Sequence, residues 1–473
     1  MRSENIRSGK IGENFSVAPR TKVAIISTFD ELCGIASYTR ALVKQLESIA
    51  DLTVFDLDQF LLRNKSPRVK LAARAHIEEI CGALKNFSAV NIQLEYGIFG
   101  RNNKDIARNL KRVFDASPNL IVTFHTVLHP NYFLPGEVWR YFRSGKVSLA
   151  VSATFKPFWG DIGSATYRYL RQQQRKKSVQ IVVHTPRDAR MMRHVQKLHN
   201  VHDHPLAFLK KGEIAKICAV NGRVAFPDLA KLGRDQVIIG LFGFLSDYKG
   251  FETAIRAAHW LPSNYHFAIF GGVHPNSILK NERINPYLHL LLKESFVDSP
   301  YVDGQVDEVA IIGKQKLTLS GRKVRPPAHP DQEAQKHPRD LSERIHFMGA
   351  LSDSEFAKGM TACDIVVFPY IEVGQSSSGP ISMAIELNKR IIASRTLAYL
   401  QLARYYPQRL EFFDIGNHLE LAQRIQSAAR PFEPSERYNA ETNTNFYLSI
   451  VQKITGKRIK KERVKSSIVL TEA

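Results

Sequence analysis

Between residues 365 and 394 the chain gathers groups that could grip an anion. The apolar run Ile365-Val366-Val367-Phe368-Pro369 reads as a buried strand, Gln375-Ser376-Ser377-Ser378-Gly379-Pro380 as a polar turn, and Ile381 to Leu387 as a helix. A turn rich in serine and glycine that enters a helix aims free N–H groups at one point, and the helix dipole adds partial positive charge there. That is a seat for a phosphate or diphosphate. An ordinary N-cap is the plainer alternative, because serine favours that position. A second segment of this kind, Gly243-Phe244-Leu245-Ser246-Asp247-Tyr248-Lys249-Gly250, also follows a strand and opens a helix. Its glycines permit tight turns. Lys249 is placed to reach an anion at the carboxyl end of the sheet, or else is a solvated lysine at a helix start. His125 and Glu95 each end a strand. His125 reads as a site residue or a satisfied core histidine. Glu95 reads as a group receiving an acceptor, or as the partner of a basic neighbour in a salt bridge. His184 and His204 rank below His125.

The elements that must position these residues alternate between strand and helix. Strands are expected at Val23–Phe29, Leu52–Phe55, Ala89–Leu94, Leu120–Phe124 and Val179–Val183. The pattern restarts at Val237–Phe242 and continues at Tyr265–Phe270, Arg344–Phe347, Asp364–Phe368 and Arg390–Ala393. Helices fall between them, for example through Tyr38, Leu42, Val43 and Leu46, at Phe251–Leu261 and at Ser354–Cys363. Apolar runs with little alternation fit parallel sheets covered on both faces. The fold class expected is α/β, with two tandem Rossmann-like, doubly wound domains facing a cleft where ligands bind beyond the carboxyl ends of the strands. The boundary lies near 205–235. The division is a 1–20 extension, a first domain over 21–215, a second over 216–440 with a polar, proline-bearing surface insertion at 312–343, and a C-terminal helix with a basic tail over 441–473.

Composition narrows the class. A chain of 473 residues needs two or three domains, and 44% hydrophobic with 23% charged residues is typical of a folded soluble protein. The four cysteines have no CxxC spacing and read as reduced thiols, with no zinc site and no other metal-ligand cluster. No apolar run spans a membrane and the first residues lack a signal-peptide core, so a cytoplasmic location is expected. The formal charge of +21 predicts anionic partners. Helix-turn-helix, finger and RNP patterns are missing, so nucleic acid is not expected. Residues 137–177 mix Trp139, Tyr141, Phe142, Trp159 and Tyr169 with lysine and arginine, and 457–465 is a basic run. Both suit peripheral docking on the anionic inner face of the plasma membrane. A packed helical hairpin with solvated charges is the alternative for 137–177.

In order and spacing, these segments resemble the GT-B retaining glycosyltransferases of family four. The match is carried by Gly243, Leu245, Lys249 and Gly250, by Arg344 to Glu355, by Ala362 to Pro369 and by Ile391 to Ser394 in the second domain. In the first it is carried by Gly34 to Ser37, Gln93 to Gly100 and Val122 to Leu128. It runs from about Lys22 to about Val451. The resemblance implies a UDP- or GDP-sugar as donor, no metal and no cofactor, and a saccharide or lipid-linked acceptor on the first domain, in polysaccharide or glycolipid synthesis. Lys249 would bind the donor diphosphate, and Gln375, Ser376, Ser377, Ser378 and Gly379 would hold phosphate or sugar. Gly34 and Gly243 would let backbone approach the donor, with His125 near the reacting sugar and Glu95 facing the acceptor. Where the family carries two glutamates, this chain has Gln375 and Met383, with Glu372 and Glu386 each displaced by three positions. A catalytically silent GT-B protein that binds a nucleotide sugar, a glycan or a protein partner is therefore the second reading.

Overall fold

The computed structural model describes residues 20–128, 135–155, 161–278, 284–296, 309–312, 315–318, 341–429, 437–456 and 469–470. The readings for the N-terminal extension, for most of the 312–343 insertion and for the basic run 457–465 lie outside the described residues.

Two parallel sheets form the frame. The first contains β1 (Lys22–Ser27), β2 (Asp51–Asp56), β3 (Ala89–Leu94), β4 (Leu120–Phe124), β5 (Val179–Val183) and β6 (Val201–Asp203). The second contains β7 (Val237–Phe242) and β8 (Tyr265–Phe270). A small antiparallel hairpin, β9 (Val309–Ile312) and β10 (Gln315–Thr318), interrupts it before β11 (Ile345–Gly349), β12 (Ile365–Phe368), β13 (Arg390–Ser394) and β14 (Leu410–Phe413). β15 (Val469–Leu470) joins the outer edge of the first sheet beside β2. The strand orders are β15-β2-β1-β3-β4-β5-β6 and β11-β8-β7-β12-β13-β14. Every residue of β3, β4 and β5 is buried, as a sheet with helices on both faces demands. Each order reverses once, between β1 and β3 and between β7 and β12. Crevices open at those switch points, and the segments that follow β7 and β12 are the two anion-binding candidates of the sequence.

Local chemistry explains the helices that border the crevices. Helix Asp353–Ala362 starts with a capping box, in which Ser352 and Glu355 satisfy each other's backbone N–H groups. Helix Gly379–Glu386 has Pro380 in its first turn, where no N–H is needed.

The connection after β6 folds into the short helices Lys211–Cys218, Gly222–Ala225 and Pro227–Ala230. Gly222 lies so close to helix Asp353–Ala362 that a Cβ there would stand 2.4 Å from Thr361 Oγ1. The connection therefore packs on the second lobe. The last long helix, Ala440–Thr455, returns to the first lobe and lies on helix Gly34–Leu46 and on β3 and β5. There Tyr447 is buried with its hydroxyl 3.0 Å from Thr123 Oγ1, and Asn443 Nδ2 donates to Gln45 Oε1 at 2.7 Å.

Three expectations change. β6 and β14 join the expected strands because Val201-His202-Asp203 and Leu410-Glu411-Phe412-Phe413 carry ionisable residues that break the apolar run, whereas the equally short β12 is apolar throughout. The 312–343 segment was read as a polar surface insertion, yet its first residues belong to the β9–β10 hairpin and Leu341 near its end is fully buried in the second lobe. β15 extends the first sheet beyond the basic tail.

Tyr447→Ala should lower stability by about 4 kcal/mol through the cavity it leaves between the C-terminal helix and the first sheet. Tyr447→Phe, which removes one hydrogen bond, should cost only about 1 kcal/mol. Urea denaturation of the two variants measures the difference.

Candidate functional site

The two segments singled out by sequence line one cleft between the lobes, with a cavity volume of 310 Å³. Close backbone approaches set the second-lobe wall. Gly243 has φ +125°, and a Cβ on Gly271 (φ +158°) would lie 1.9 Å from the Gly243 carbonyl oxygen. Gly250 has φ +62°, and a Cβ there would lie 2.2 Å from the Pro369 carbonyl oxygen. Only glycine allows these loops to meet at the ends of β7, β8 and β12.

The turn Asp247–Lys249 is thereby pressed inward, and Lys249 is buried, 5% exposed. Its Nζ donates to the Tyr370 hydroxyl and stands 4.0 Å from the Tyr370 ring centroid and 4.8 Å from that of Tyr248. Among the described residues no carboxylate pairs with it, and burial lowers its pKa to about 7. Lys249 is therefore not the solvated helix-start lysine that the sequence also allowed.

The serine turn is not an ordinary cap either. Ser378 occupies the N-cap position of helix Gly379–Glu386, yet its side chain makes no capping hydrogen bond. Gln375, Ser377, Ser378, Gly379 and Met383 line the cleft with Lys249 and Gly243. Ser376 stands apart, because its hydroxyl accepts the Val127 N–H at 3.1 Å and so ties the turn to the first lobe. Glu372 and Glu386 are outside the cleft lining. Glu372 accepts the N–H groups of Gly374 and Leu397 at 2.8 and 2.7 Å. Glu386, half-buried, accepts those of Phe208 and Leu209 at 2.8 and 3.2 Å, and desolvation raises its pKa to about 8. Both carboxylates hold backbone.

The first lobe supplies the opposite wall. Gly34 begins helix Gly34–Leu46, and a Cβ there would meet nothing within 4 Å, so packing does not require the glycine and the space beside it is open. Glu95 lines the cleft; burial raises its pKa, and its Oε2 accepts the Thr126 hydroxyl at 2.6 Å. Among the described residues no salt bridge reaches it, so the basic neighbour expected as an alternative is not what holds it. His125 is 6% exposed, lies 2.9 Å through Nε2 from Gln93 Oε1, and packs its ring edgewise on Tyr38. Burial, then His184, pushes its pKa well below the usual value, so the ring is neutral. Gln93 donates its amide N–H to Asn91 Oδ1 at 2.8 Å, which leaves Oε1 facing His125 as an acceptor. Nε2 of His125 is thus engaged by Gln93, and Nδ1 is the other ring nitrogen. His184 and His204 are buried behind the cleft, linked through His184 Nδ1 and the His204 carbonyl at 2.9 Å, each with a pKa of about 4 from burial.

Across the mouth, Ser37 and Arg40 donate to Asp353 at 2.7 and 2.8 Å. Burial alone would raise the Asp353 pKa, but these donors outweigh it and lower it. The sequence reading missed this latch and the tyrosine box around Lys249. The box had a signal, since Tyr248 precedes the lysine and Tyr370 follows the strand-ending Pro369. The latch had none. Among the described residues no group of three or more His, Cys, Asp or Glu could hold a metal ion.

Below pH 7 folding carries the full desolvation cost of the Lys249 charge, and that cost is relieved as pH rises from 7 to the ordinary lysine range near 10.5. Lys249→Met should therefore stabilise the protein at pH 6 by on the order of 3 kcal/mol, with the gain shrinking towards pH 10. Urea midpoints at several pH values test this.

No protein-family model matches the sequence, and no curated protein matches it. Solved structures do. A UDP-forming α,α-trehalose-phosphate synthase from Burkholderia xenovorans superposes with a TM-score of 0.53 at 10% identity, over 92% of this chain and 99% of that one. Sucrose-phosphate synthase from Thermosynechococcus elongatus superposes with a TM-score of 0.50 at 14% identity, over 92% and 96%. At such identities the likeness speaks for architecture, and with the two switch-point crevices facing one cleft it gives the conclusion: this chain has the GT-B glycosyltransferase fold.

Proposed function

We propose that the chain is a glycosyltransferase that moves a sugar from a nucleoside-diphosphate sugar to a saccharide or lipid-linked acceptor with retention of configuration. The observation that carries this reading is Lys249, a buried amine without a carboxylate partner, on the same cleft as the uncapped Ser377–Gly379 helix start. A bound diphosphate would supply the missing anion, restore the lysine's proton and accept the free N–H groups of the turn. As the sugar–phosphate bond breaks, negative charge grows on the leaving diphosphate, where the ammonium and the helix start stabilise it. The acceptor oxygen bonds to the anomeric carbon, and its proton passes to the departing phosphate. His125, neutral because burial lowers its pKa, is suited to a hydrogen bond with a sugar hydroxyl rather than to general-acid catalysis. Glu95 lies on the acceptor side. UDP is the nucleotide to try first, because one structural neighbour is UDP-forming.

The second reading is a silent binder. Gln375 and the buried Met383 occupy the turn's cleft face, so no carboxylate stands on that stretch to hold a ribose or sugar hydroxyl. Donor binding without sugar release or transfer would favour it.

A membrane-facing role rests on the helices Pro135–Arg143 and Val147–Phe155. Trp139, Phe142, Val147 and Val151 are 67, 61, 54 and 51% exposed, beside exposed Arg140, Arg143 and Lys146. Apolar side chains interleaved with cations fit an anionic bilayer surface. Among the described residues no helix is long and apolar enough to cross a membrane.

Calorimetry should show UDP binding that takes up a proton above pH 7, with affinity falling as pH rises from 7 to 9 because free Lys249 is then neutral. Lys249→Ala should weaken UDP by at least about tenfold; unchanged affinity would remove the donor reading. The wild type should pellet with anionic but not neutral liposomes, and Trp139→Ala with Phe142→Ala should reduce pelleting by about tenfold.

A further inference from the structure

A second cavity, also of 310 Å³, opens beside the donor cleft and shares Cys33, Gly34, Ile35, Glu95 and His274 with it. Its remaining polar lining comes from the first lobe, chiefly Glu31, Gln59 and Arg63. Gln59 is 6% exposed, and its amide nitrogen donates to the carbonyls of Leu57 and Ile98 at 2.8 and 2.9 Å. Two carbonyls can be served only by the NH₂ end, so the orientation is fixed and Oε1 is the end left to accept, on a side chain that lines the cavity. It can take a hydrogen bond from a donor on the cavity's occupant.

The charge around it is mostly negative. Glu31 lies on the wall, and burial followed by Asp56 raises its pKa, with Asp58 adding to the effect and Arg63 opposing it. Glu95 closes the side nearest the donor cleft. The second lobe offers His274, whose pKa burial and then Arg63 lower, so it brings no charge. One arginine thus shares the wall with two carboxylates, Glu31 and Glu95. An occupant rich in hydroxyls satisfies this set, since each hydroxyl donates to an oxygen and can also accept from Arg63. A phosphate or carboxylate would face like charges at short range.

We propose that this cavity seats the acceptor, and that the unit it takes is an uncharged sugar read by Gln59, Glu31 and Glu95 as hydrogen-bond acceptors. The proposal deepens the transferase reading and rests on it for the word acceptor. The same walls place an incoming hydroxyl at Glu95, the carboxylate common to both cavities.

The test uses the full chain saturated with UDP and titrates methyl α-glucoside, methyl α-mannoside and methyl α-galactoside against the corresponding 6-phosphates and uronic acids, by ligand-detected NMR. At least one neutral glycoside should bind about tenfold more tightly than its anionic counterparts. Glu31→Lys should erase that preference and Glu31→Gln should narrow it, while the UDP affinity of both variants reports whether the fold is intact. Tighter binding of the phosphates or uronic acids, binding of no neutral glycoside, or an unchanged preference in folded Glu31→Lys overturns the proposal. A chain that takes glycosides without taking UDP would instead remove the donor reading and leave this seat standing.

Discussion

Lys249 reaches the cleft on a turn that two glycines lock against the ends of neighbouring strands, and its charge is held there by aromatic rings and one hydroxyl instead of a carboxylate. Removing an ammonium from water is expensive, and an ion pair would be the usual compensation. Its absence leaves the site half-built without a ligand, because a cation positioned by rigid backbone is waiting for an anion. The same feature explains why the serine helix start opposite it keeps its N–H groups free. A side-chain cap at Ser378 would have competed with any ligand.

The lobes that carry these groups are joined by more than a linker. Glu386, a half-buried carboxylate three positions from one of the family's two glutamates, secures the backbone of Phe208 and Leu209 where the chain passes between lobes. Gln45 accepts from Asn443 of the C-terminal helix and donates to the Ala207 carbonyl at 2.9 Å. A buried polar chain therefore runs from the C-terminal helix, through helix Gly34–Leu46 of the first lobe, to the connection. On the other side Ser37 and Arg40 meet Asp353 directly. That latch is partly exposed and of modest strength, so it sets the cleft mouth without locking it rigidly.

The parallel strands were readable because burial on both faces forces unbroken apolar runs. β3, β4, β5, β7 and β8 fall on the residues that the runs marked. The glycine turns and Lys249 were readable because sharp turns and anion seats limit residue type. β6 and β14 were not, because ionisable residues interrupt their short apolar runs. β9 and β10 carry no alternating pattern, so nothing local marks them as a hairpin.

Residue order along the chain determined two α/β lobes and brought a cation, a serine turn and two strand-end groups to the carboxyl edges of their sheets, because those features depend on local pattern and strand polarity. Tertiary structure alone decided which of them face the same space. It turned Ser376 away onto Val127, assigned Glu372 and Glu386 to backbone, left Lys249 without a counter-charge and set Gln59, Glu31 and Glu95 around a second cavity. The longest of these contacts join residues 249 positions apart (Val127 and Ser376) and 178 apart (Phe208 and Glu386), distances that no local pattern encodes.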